Sequence, residues 1–311
     1  MTTVQKTTID YLRFRTQAEP PEVLEALRPM FGDLGRHLGW QHLKRGAMGF
    51  QRASQVVLGD MPLARLDFGG ESQRGWVRAE LTGRACGWVQ DWDAVRAVEE
   101  LPSAQVRRLD VALTTWEGEI THERVVQAHQ EGRFCTGGRP PALQQVISTD
   151  PRAGRTCYVG KRKSSKFFRA YEKGFQMAAK SGLPGDVQAI DGHPIEGIYR
   201  CELELKAGDD DASPIGWEVI GRRDHYFAGS YPFCSDVLPE VEPDVFERRK
   251  EREPQTDLAA ALATLRTQYG KTLFTAQAAY HGDILAVWDK VVGKEHAQHL
   301  LEAGVLLVDH D

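Results

Sequence analysis

The feature that most constrains the fold is a pattern of segments that occurs twice in the same order. Residues 7–16 alternate polar and apolar side chains as a strand does, and residues 20–39 follow with helical spacing and two prolines at the start. Three further strand-like segments complete this first half. The second half begins with a strand near Val106 and a helix at residues 122–130, and three strands follow.

The corresponding segments of the two halves also resemble each other in sequence. IDYLRFR resembles LDVALTT, SQVVLGD resembles TCYVGKR, and LARLDFG resembles FFRAYEKG. WVRAELTG resembles YRCELELK, so that Glu80 corresponds to Glu202; Asp10 likewise corresponds to Asp110. We therefore predict an α+β fold of antiparallel sheets with flanking helices, built from two similar units. Chance similarity between strand-rich segments is the alternative interpretation.

Changes in composition predict four parts along the chain. Residues 1–104 form a degenerate α+β unit and residues 105–238 form the unit that carries the chemistry. Residues 239–256 are charged and contain prolines, which is typical of a linker. Residues 257–311 contain amphipathic helix patterns and predict a small helical C-terminal domain, with a third helix near residues 295–303.

Composition limits the classes of function. The 311 residues carry a net charge of -5, and no apolar run approaches the roughly 20 residues that span a bilayer. The N-terminus lacks the apolar core of a signal peptide. The five cysteines are widely spaced without a CxxC pair, which argues against a disulfide framework or a cysteine zinc site. We expect a cytoplasmic protein without a membrane partner.

A dense basic segment interrupts this acidic chain at residues 154–176. It predicts a local anion-binding site. Tyr171 lies between Arg169 and Lys173, and all three share one face of an extended strand because side chains alternate with period two. Neighbouring cations would bind a phosphate and favour the phenolate form of the tyrosine. The alternative is a half-buried tyrosine on an edge strand. The remaining cations of the segment are candidate DNA contacts: Arg155, Lys161, Arg162, Lys163 and Lys166.

Three acidic residues lie on two neighbouring strand patterns. Asp110 belongs to RRLDVALTT, and Glu202 and Glu204 lie on one face of YRCELELK. Carboxylates on a sheet face are costly to bury unless they are paired, and oxygen ligands suit Mg²⁺ or Mn²⁺. The pattern predicts a divalent-metal site, with a solvated charged sheet face as the alternative.

A tyrosine, several cations and a metal are the components of phosphoryl transfer on DNA. The tyrosine oxygen would attack a backbone phosphorus and leave a phosphotyrosine and a free hydroxyl. Other phosphate-binding motifs are missing, because Gly270-Lys271-Thr272 lacks the first glycine of a P-loop and no G-x-G-x-x-G opens a helix.

The sequence resembles the replication initiation factor (Rep_trans) family, the rolling-circle initiators of filamentous phages, prophages and small plasmids. The resemblance rests on TIDYLRFR, RRLDVALT, TCYVGKRKSSKFFRAYEKG and YRCELELK, within residues 7–225. It implies that Tyr171 is the nicking nucleophile, assisted by Arg169 and Lys173. It also implies a 5′-phosphotyrosine intermediate, a 3′-hydroxyl primer, and metal ligands among Asp110, Glu202 and Glu204.

Two alternative functions stay open at this point. A relaxase of a mobile element would use the same chemistry, and a non-catalytic DNA-binding protein would keep the basic strands only to grip phosphates. Origin DNA is the expected partner in the favoured hypothesis, and a host helicase and a homodimer are further candidate partners.

Overall fold

The computed structural model describes residues 5–137, 139–184, 187–207, 215–244, 254–297 and 301. Its dominant element is one ten-stranded antiparallel sheet. The strands of the chain, in order, are β1 (Thr8–Thr16), β2 (Leu38–Leu43), β3 (Arg52–Leu58), β4 (Met61–Phe68), β5 (Val77–Leu81), β6 (Gln105–Thr115), β7 (Leu143–Ile147), β8 (Arg155–Val159), β9 (Lys166–Glu172), β10 (Ala189–Ile190), β11 (His193–Pro194) and β12 (Tyr199–Lys206). The short strands β10 and β11 form a separate hairpin.

Short helices lie between these strands and after β12. They are α1 (Pro20–Leu27), α2 (Gly83–Cys86), α3 (Arg96–Glu99), α4 (His122–Gln130), α5 (Lys173–Lys180), α6 (Glu218–Gly221), α7 (Arg223–Ala228) and α8 (Pro232–Val237). The apolar face of the sheet packs with helical segments into one core, because alternate residues of each strand are buried there. In this core Phe134 contacts Phe168, Tyr231 and Phe233, with ring centroids 5.0–5.4 Å apart.

The strand order is β2-β3-β4-β5-β1-β6-β12-β9-β8-β7. From the centre outward, the first half runs β1, β5, β4, β3, β2, and the second half runs β6, β12, β9, β8, β7. Each pair of segments that the sequence aligned thus occupies the same place in its half. The predicted α+β class is confirmed, and the shared order agrees with the duplication, which itself stays a prediction.

The register corrects one detail of the predicted correspondence. Leu12 faces Leu81 in the first half as Val111 faces Leu203 in the second. Tyr11 therefore takes the place equivalent to Asp110, and Asp10 does not. An irregularity in the pairing of β1 with β6 also lies between Ile9 and Tyr11, which shifts Asp10 out of the regular alternation.

Local propensity also gave one wrong boundary. The predicted helix at 20–39 ends as α1 at Leu27, a 3₁₀ segment follows over Arg28–His37, and β2 begins at Leu38. Gly32 interrupts the helical conformation with a φ of 53°, where a Cβ would meet the Gln90 side chain. Pairing of β2 with β3 decides the state of residues 38–43.

The chain divides into two compact units, Met1–Arg248 and Arg249–Asp311. The sheet lies in the first unit. The second contains α9 (Pro254–Ala279) and α10 (Ile284–Val291), which confirms two of the predicted C-terminal helices. Of the predicted helix near 295–303, residues 295–297 are not helical, Leu301 is helical and bonds the Ala297 carbonyl, and residues 298–300 and 302–303 lie outside the described part. Among the described residues no helix is long and apolar enough to cross a membrane.

Candidate active site

Tyr171 is placed by the alternation of β9. Phe168 and Ala170 point into the core and are fully buried, so Arg169 and Tyr171 project from the polar face of the sheet. Tyr171 is itself only 7% exposed. Its hydroxyl donates a hydrogen bond of 2.6 Å to Oε1 of Glu202. The Tyr171 hydroxyl is therefore bonded to a carboxylate of the protein.

Glu202 lies on β12, the strand next to β9. Glu202 is 3% exposed and also accepts a hydrogen bond from the guanidinium of Arg169, its cross-strand neighbour. Strand β12 pairs on its other side with β6, which carries Asp110. The prediction that the strands of Asp110, Tyr171 and Glu202 are neighbours in one antiparallel sheet, with their side chains on a common face, is confirmed.

Two further cations surround the tyrosine. Lys173, at the start of α5, places its Nζ 3.4 Å from the Tyr171 hydroxyl and 2.7 Å from Oε1 of Gln176. Arg200 is the cross-strand neighbour of Tyr171. Its guanidinium donates to Oδ1 of Asp10 at 2.9 Å and to the hydroxyl of Thr114 at 2.8 Å. Strand β1 thus brings a second carboxylate to the site, across the width of β6 and β12.

The site opens into a cleft of about 1200 Å³. Both halves of the sheet line it, with Tyr171, Lys173 and Glu202 on one side and the segment after β5 on the other. Gly83 in that segment has no room for a side chain, because a Cβ would lie 2.8 Å from the backbone oxygen of Asp10 and 2.9 Å from its Oδ1. The close approach of Gly83 therefore fixes the position of Asp10.

The electrostatics of the tyrosine differ from the sequence-based expectation. Burial raises the pKa of Tyr171, and the charge and hydrogen bond of Glu202 raise it further, against the smaller lowering effects of Arg200 and Arg169. The expected stabilisation of the phenolate by flanking cations is therefore outweighed. Burial, together with the charge of Arg200, lowers the pKa of Lys173 to about 8.

Asp110 and Glu204 form a separate group on the same face. The guanidinium of Arg108 donates to both oxygens of Asp110, at 2.8 and 2.6 Å, and makes an ion pair of 2.7 Å with Glu204. Burial raises the pKa of Asp110 to about 6, although Arg108 opposes the shift. Asp110 and Glu204 are thus bound by Arg108, whereas Glu202 is bound by Arg169 and Tyr171. A metal site formed by Asp110, Glu202 and Glu204 together stays a prediction.

The donors beside the tyrosine suit a hard cation that also binds substrate. Asp10 is close enough to Glu202 for the charge of Glu202, after burial, to raise the pKa of Asp10. Mg²⁺ is usually held by one or two carboxylates together with substrate phosphates. Within the described part of the chain, no three acidic, histidine or cysteine side chains are arranged as a metal site. Asp10 and Glu202 are the acidic side chains that line the cleft, so they are the carboxylates that such an ion would meet there.

The predicted DNA contacts separate into two sets. Arg155 pairs with Glu172 at 2.7 Å and also with Glu123, which leaves its charge neutralised within the protein. Lys166 points to the apolar side, where its Nζ bonds the Ser230 carbonyl and lies 4.1 Å from the centre of the Tyr231 ring. Neither side chain is presented to a ligand. Exposed side chains are found in the turn between β8 and β9: Lys161, Arg162 and Lys163.

Sequence reasoning missed Asp10 as a member of this site. Its position next to Arg200 depends on the pairing of β1 with β6 and of β6 with β12. Asp10 and Arg200 are 190 positions apart in the chain. No local motif signals such a contact.

A buried tyrosine bonded to a carboxylate, surrounded by cations and open to a cleft, defines a candidate phosphoryl-transfer site on an antiparallel sheet. Residues 104–253, which include Tyr171 and Glu202, match the family model of the replication initiation factors. This match confirms the resemblance inferred from the sequence.

The fold has a counterpart among solved structures. A rolling circle replication initiator protein from Geobacillus stearothermophilus superposes with a TM-score of 0.52 at 18% identity, covering 78% of this chain and 99% of that one. At this identity the match establishes the fold. No curated protein sequence matches the chain.

Proposed function

We propose that this protein initiates rolling-circle DNA replication by nicking one DNA strand with Tyr171. The observation that carries the proposal is the short hydrogen bond from the Tyr171 hydroxyl to Glu202, with Lys173 and Arg169 beside the ring. A nucleophile, a proton acceptor and two cations within one site are what attack on a phosphodiester requires. The match to the replication initiation factors supports DNA as the substrate.

In the proposed step, the Tyr171 oxygen attacks a backbone phosphorus while its proton passes to Oε1 of Glu202 along their existing hydrogen bond. A bond forms between the tyrosine oxygen and phosphorus, and the bond from phosphorus to the 3′ oxygen breaks. The departing oxygen takes a proton from water and becomes the 3′-hydroxyl primer. The product on the protein is a 5′-phosphotyrosine.

The surrounding side chains set the conditions for this transfer. Because the pKa of Tyr171 is raised, few molecules hold a phenolate at neutral pH, and Glu202 must accept the proton during the attack. Lys173, at 3.4 Å from the hydroxyl, is placed to bind a non-bridging phosphate oxygen as negative charge develops. Arg169 keeps Glu202 oriented through its own bond to the second carboxylate oxygen.

Asp10 and Glu202 would hold a Mg²⁺ or Mn²⁺ ion, which when bound supplies neutralising charge at the phosphate. A host helicase and a homodimer remain predictions for partners of this protein.

The test is covalent capture of DNA. The protein is incubated with supercoiled plasmid bearing its origin and Mg²⁺ or Mn²⁺, and protein–DNA adducts are separated under denaturing conditions. We expect a nicked circle and an adduct, and a decrease in both of at least about 10³-fold in Tyr171→Phe. DNA binding by this variant should persist, because the substitution removes no charge.

Tyr158→Phe is the matched control, since Tyr158 lies on the adjacent strand, opposite Arg169, with its ring stacked on Phe167. This variant should nick normally. An adduct that survives in Tyr171→Phe and disappears in Tyr158→Phe would refute the assignment of the nucleophile.

A further inference from the structure

A line of polar side chains crosses the sheet on the same face as Tyr171. Each residue is the cross-strand partner of the next, so seven strands contribute one side chain each. The line, which we call the polar row, consists of Gln41, Gln55, Arg65, Glu80, Arg13, Arg108 and Lys206. It contains four cations and one acid, and most of its members belong to the half without the tyrosine.

Most charges of the polar row are paired inside the protein. Arg65 makes an ion pair of 2.9 Å with Asp67, and Glu80 pairs with Arg78. Arg108 and Lys206 both pair with Glu204. These paired groups form a charged surface. One cation of the polar row differs from them.

Arg13 is that cation. Among the residues that the structure describes, none makes a hydrogen bond or an ion pair with the Arg13 guanidinium. The side chain is half-buried near two other arginines, Arg78 and Arg108. Burial lowers the pKa of Arg13, and the charges of these two neighbours lower it further, against raising contributions from Tyr11 and from Asp110, which is itself bonded to Arg108. A guanidinium carries five donors and strongly prefers an anionic acceptor in such surroundings, so Arg13 lacks its natural partner here.

Aromatic rings lie beside this position. Arg108 packs over the ring of Tyr11 at 4.3 Å, and Arg15 packs over Trp76 at 4.1 Å. Cations interleaved with aromatic faces are typical of surfaces that bind single-stranded nucleic acid, where phosphates meet the charges and bases stack on the rings. The chemistry of the site therefore favours a nucleic-acid backbone.

The position relative to Tyr171 follows from the register. From Arg200, opposite Tyr171, to Lys206 in the polar row is six residues along β12, about 20 Å, and from β9 to β1 is three strands, about 14 Å. Arg13 thus lies about 25 Å from the nucleophile on the same surface. This span corresponds to about seven nucleotides at the 3.4 Å rise of duplex DNA, and to fewer in an extended strand.

We propose that Arg13 binds a backbone phosphate of the DNA strand that Tyr171 cleaves, several nucleotides from the nick, so that the half without the tyrosine serves as a phosphate-binding surface. This inference rests on the proposed function for the identity of the strand. It assigns the first half of the sheet a role in substrate binding rather than in chemistry.

The test is the salt dependence of binding to single-stranded DNA. Labelled dT30 is titrated with the full chain at several NaCl concentrations, and log K is plotted against log salt. One phosphate contact on a single strand contributes about 0.7 to the slope. We expect Arg13→Gln to weaken binding about three- to tenfold at low salt and to reduce the slope by about 0.7. Arg13→Lys should keep the wild-type slope.

Arg36→Gln is the matched control, because Arg36 is an exposed arginine of the same half, in the segment whose Met30 and Phe31 lie in the core. It should leave the slope unchanged. Melting temperatures of all variants verify the fold, and Arg13→Lys provides a second reading if Arg13→Gln is unstable. An Arg13→Gln slope equal to that of wild type and Arg36→Gln would overturn the proposal.

Covalent capture at the origin is measured in the same preparations. Normal adduct formation with an unchanged slope would refute this inference alone. An altered slope in a protein that forms no adduct would refute the nicking proposal and leave a DNA contact at Arg13.

Discussion

The two halves of the sheet place similar residues in the same register, yet their hydrogen bonding differs beside the cleft that Tyr171 lines. Arg65 faces Glu80 in the first half as Arg169 faces Glu202 in the second. Two residues further along β4 and β9, on the same face, the first half has Asp67 and the second has Tyr171. The hydrogen bonds of the arginine opposite each of these residues differ accordingly.

In the first half the acid closes the network. Asp67 is fully buried and accepts hydrogen bonds from Arg65, from Arg78 at 2.6 Å and from the Ala47 amide at 2.9 Å. Arg78, the arginine opposite Asp67, is therefore bound in an ion pair within the protein. Buried carboxylates with several charged donors stabilise a fold only as a complete set.

In the second half the neutral tyrosine leaves its opposite arginine free to bond elsewhere. Arg200 reaches across to Asp10 and Thr114, and Tyr171 donates to Glu202. The result is a protonated tyrosine beside a carboxylate and a cleft. In the function proposed above, the neutral hydroxyl at this position is what distinguishes the second half from the ion-paired first half.

The largest difference in nicking rate between the two halves should appear at their corresponding glutamates, Glu202 and Glu80. We expect Glu202→Gln to lower the rate of adduct formation about 100- to 1000-fold, because an amide cannot accept the tyrosine proton. Glu80→Gln, at the equivalent position of the first half, should leave the rate nearly unchanged. Single-turnover assays on origin DNA measure both, and equal losses in the two variants would contradict the functional difference between the halves.

Stability should show the opposite contrast. Asp67→Ala removes a buried acid that Arg65 and Arg78 share, which should cost about 3–5 kcal/mol. Tyr171→Phe loses one hydrogen bond and should cost about 1 kcal/mol. Denaturant unfolding of the two variants measures the difference. Similar free energies of unfolding would show that Asp67 is not the structural counterpart of the tyrosine.

The pH profile should report on Lys173, which follows Tyr171 by two residues, whereas Gly69 takes the corresponding place after Asp67. With a pKa of about 8, Lys173 is charged below that pH and loses its charge as the pH rises through it. The nicking rate should therefore fall about tenfold between pH 7 and pH 9. Lys173→Arg should abolish this decrease, and Lys180→Arg, which also lines the cleft, should retain it. The same alkaline decrease in Lys173→Arg would assign it to another group.

The smallest effect should arise where the first half touches the site. Gly83→Ala pushes a methyl group against Asp10 and should weaken its bond to Arg200, lowering the nicking rate about three- to tenfold. Gly87→Ala is the control, because its added Cβ would meet only ordinary contacts at 3.6 Å. Kinetics of the two variants with unchanged melting temperatures would measure the contribution of Asp10.

The sequence by itself determined the strands and the faces they present. The alternation of FFRAYE and CELELK assigns Tyr171 and Glu202 to the polar face, because period-two patterning is a local property. The matching order of segments in the two halves likewise predicted neighbouring places in one sheet. Residues 38–43 escaped this reasoning, since their strand state depends on a partner strand.

The tertiary structure alone decided which charges are available and how they titrate. Arg155 and Lys166 belong to the same basic segment as Lys161. However, Arg155 pairs with Glu123 and Lys166 bonds Ser230, and both partners are distant in the chain. Asp10 reaches Arg200 only because β6 pairs with both of their strands, β1 and β12. The pKa of Tyr171 rises because burial and Glu202 outweigh the neighbouring cations. Burial and charge pairing depend on contacts between residues far apart in the chain, which a local pattern does not encode.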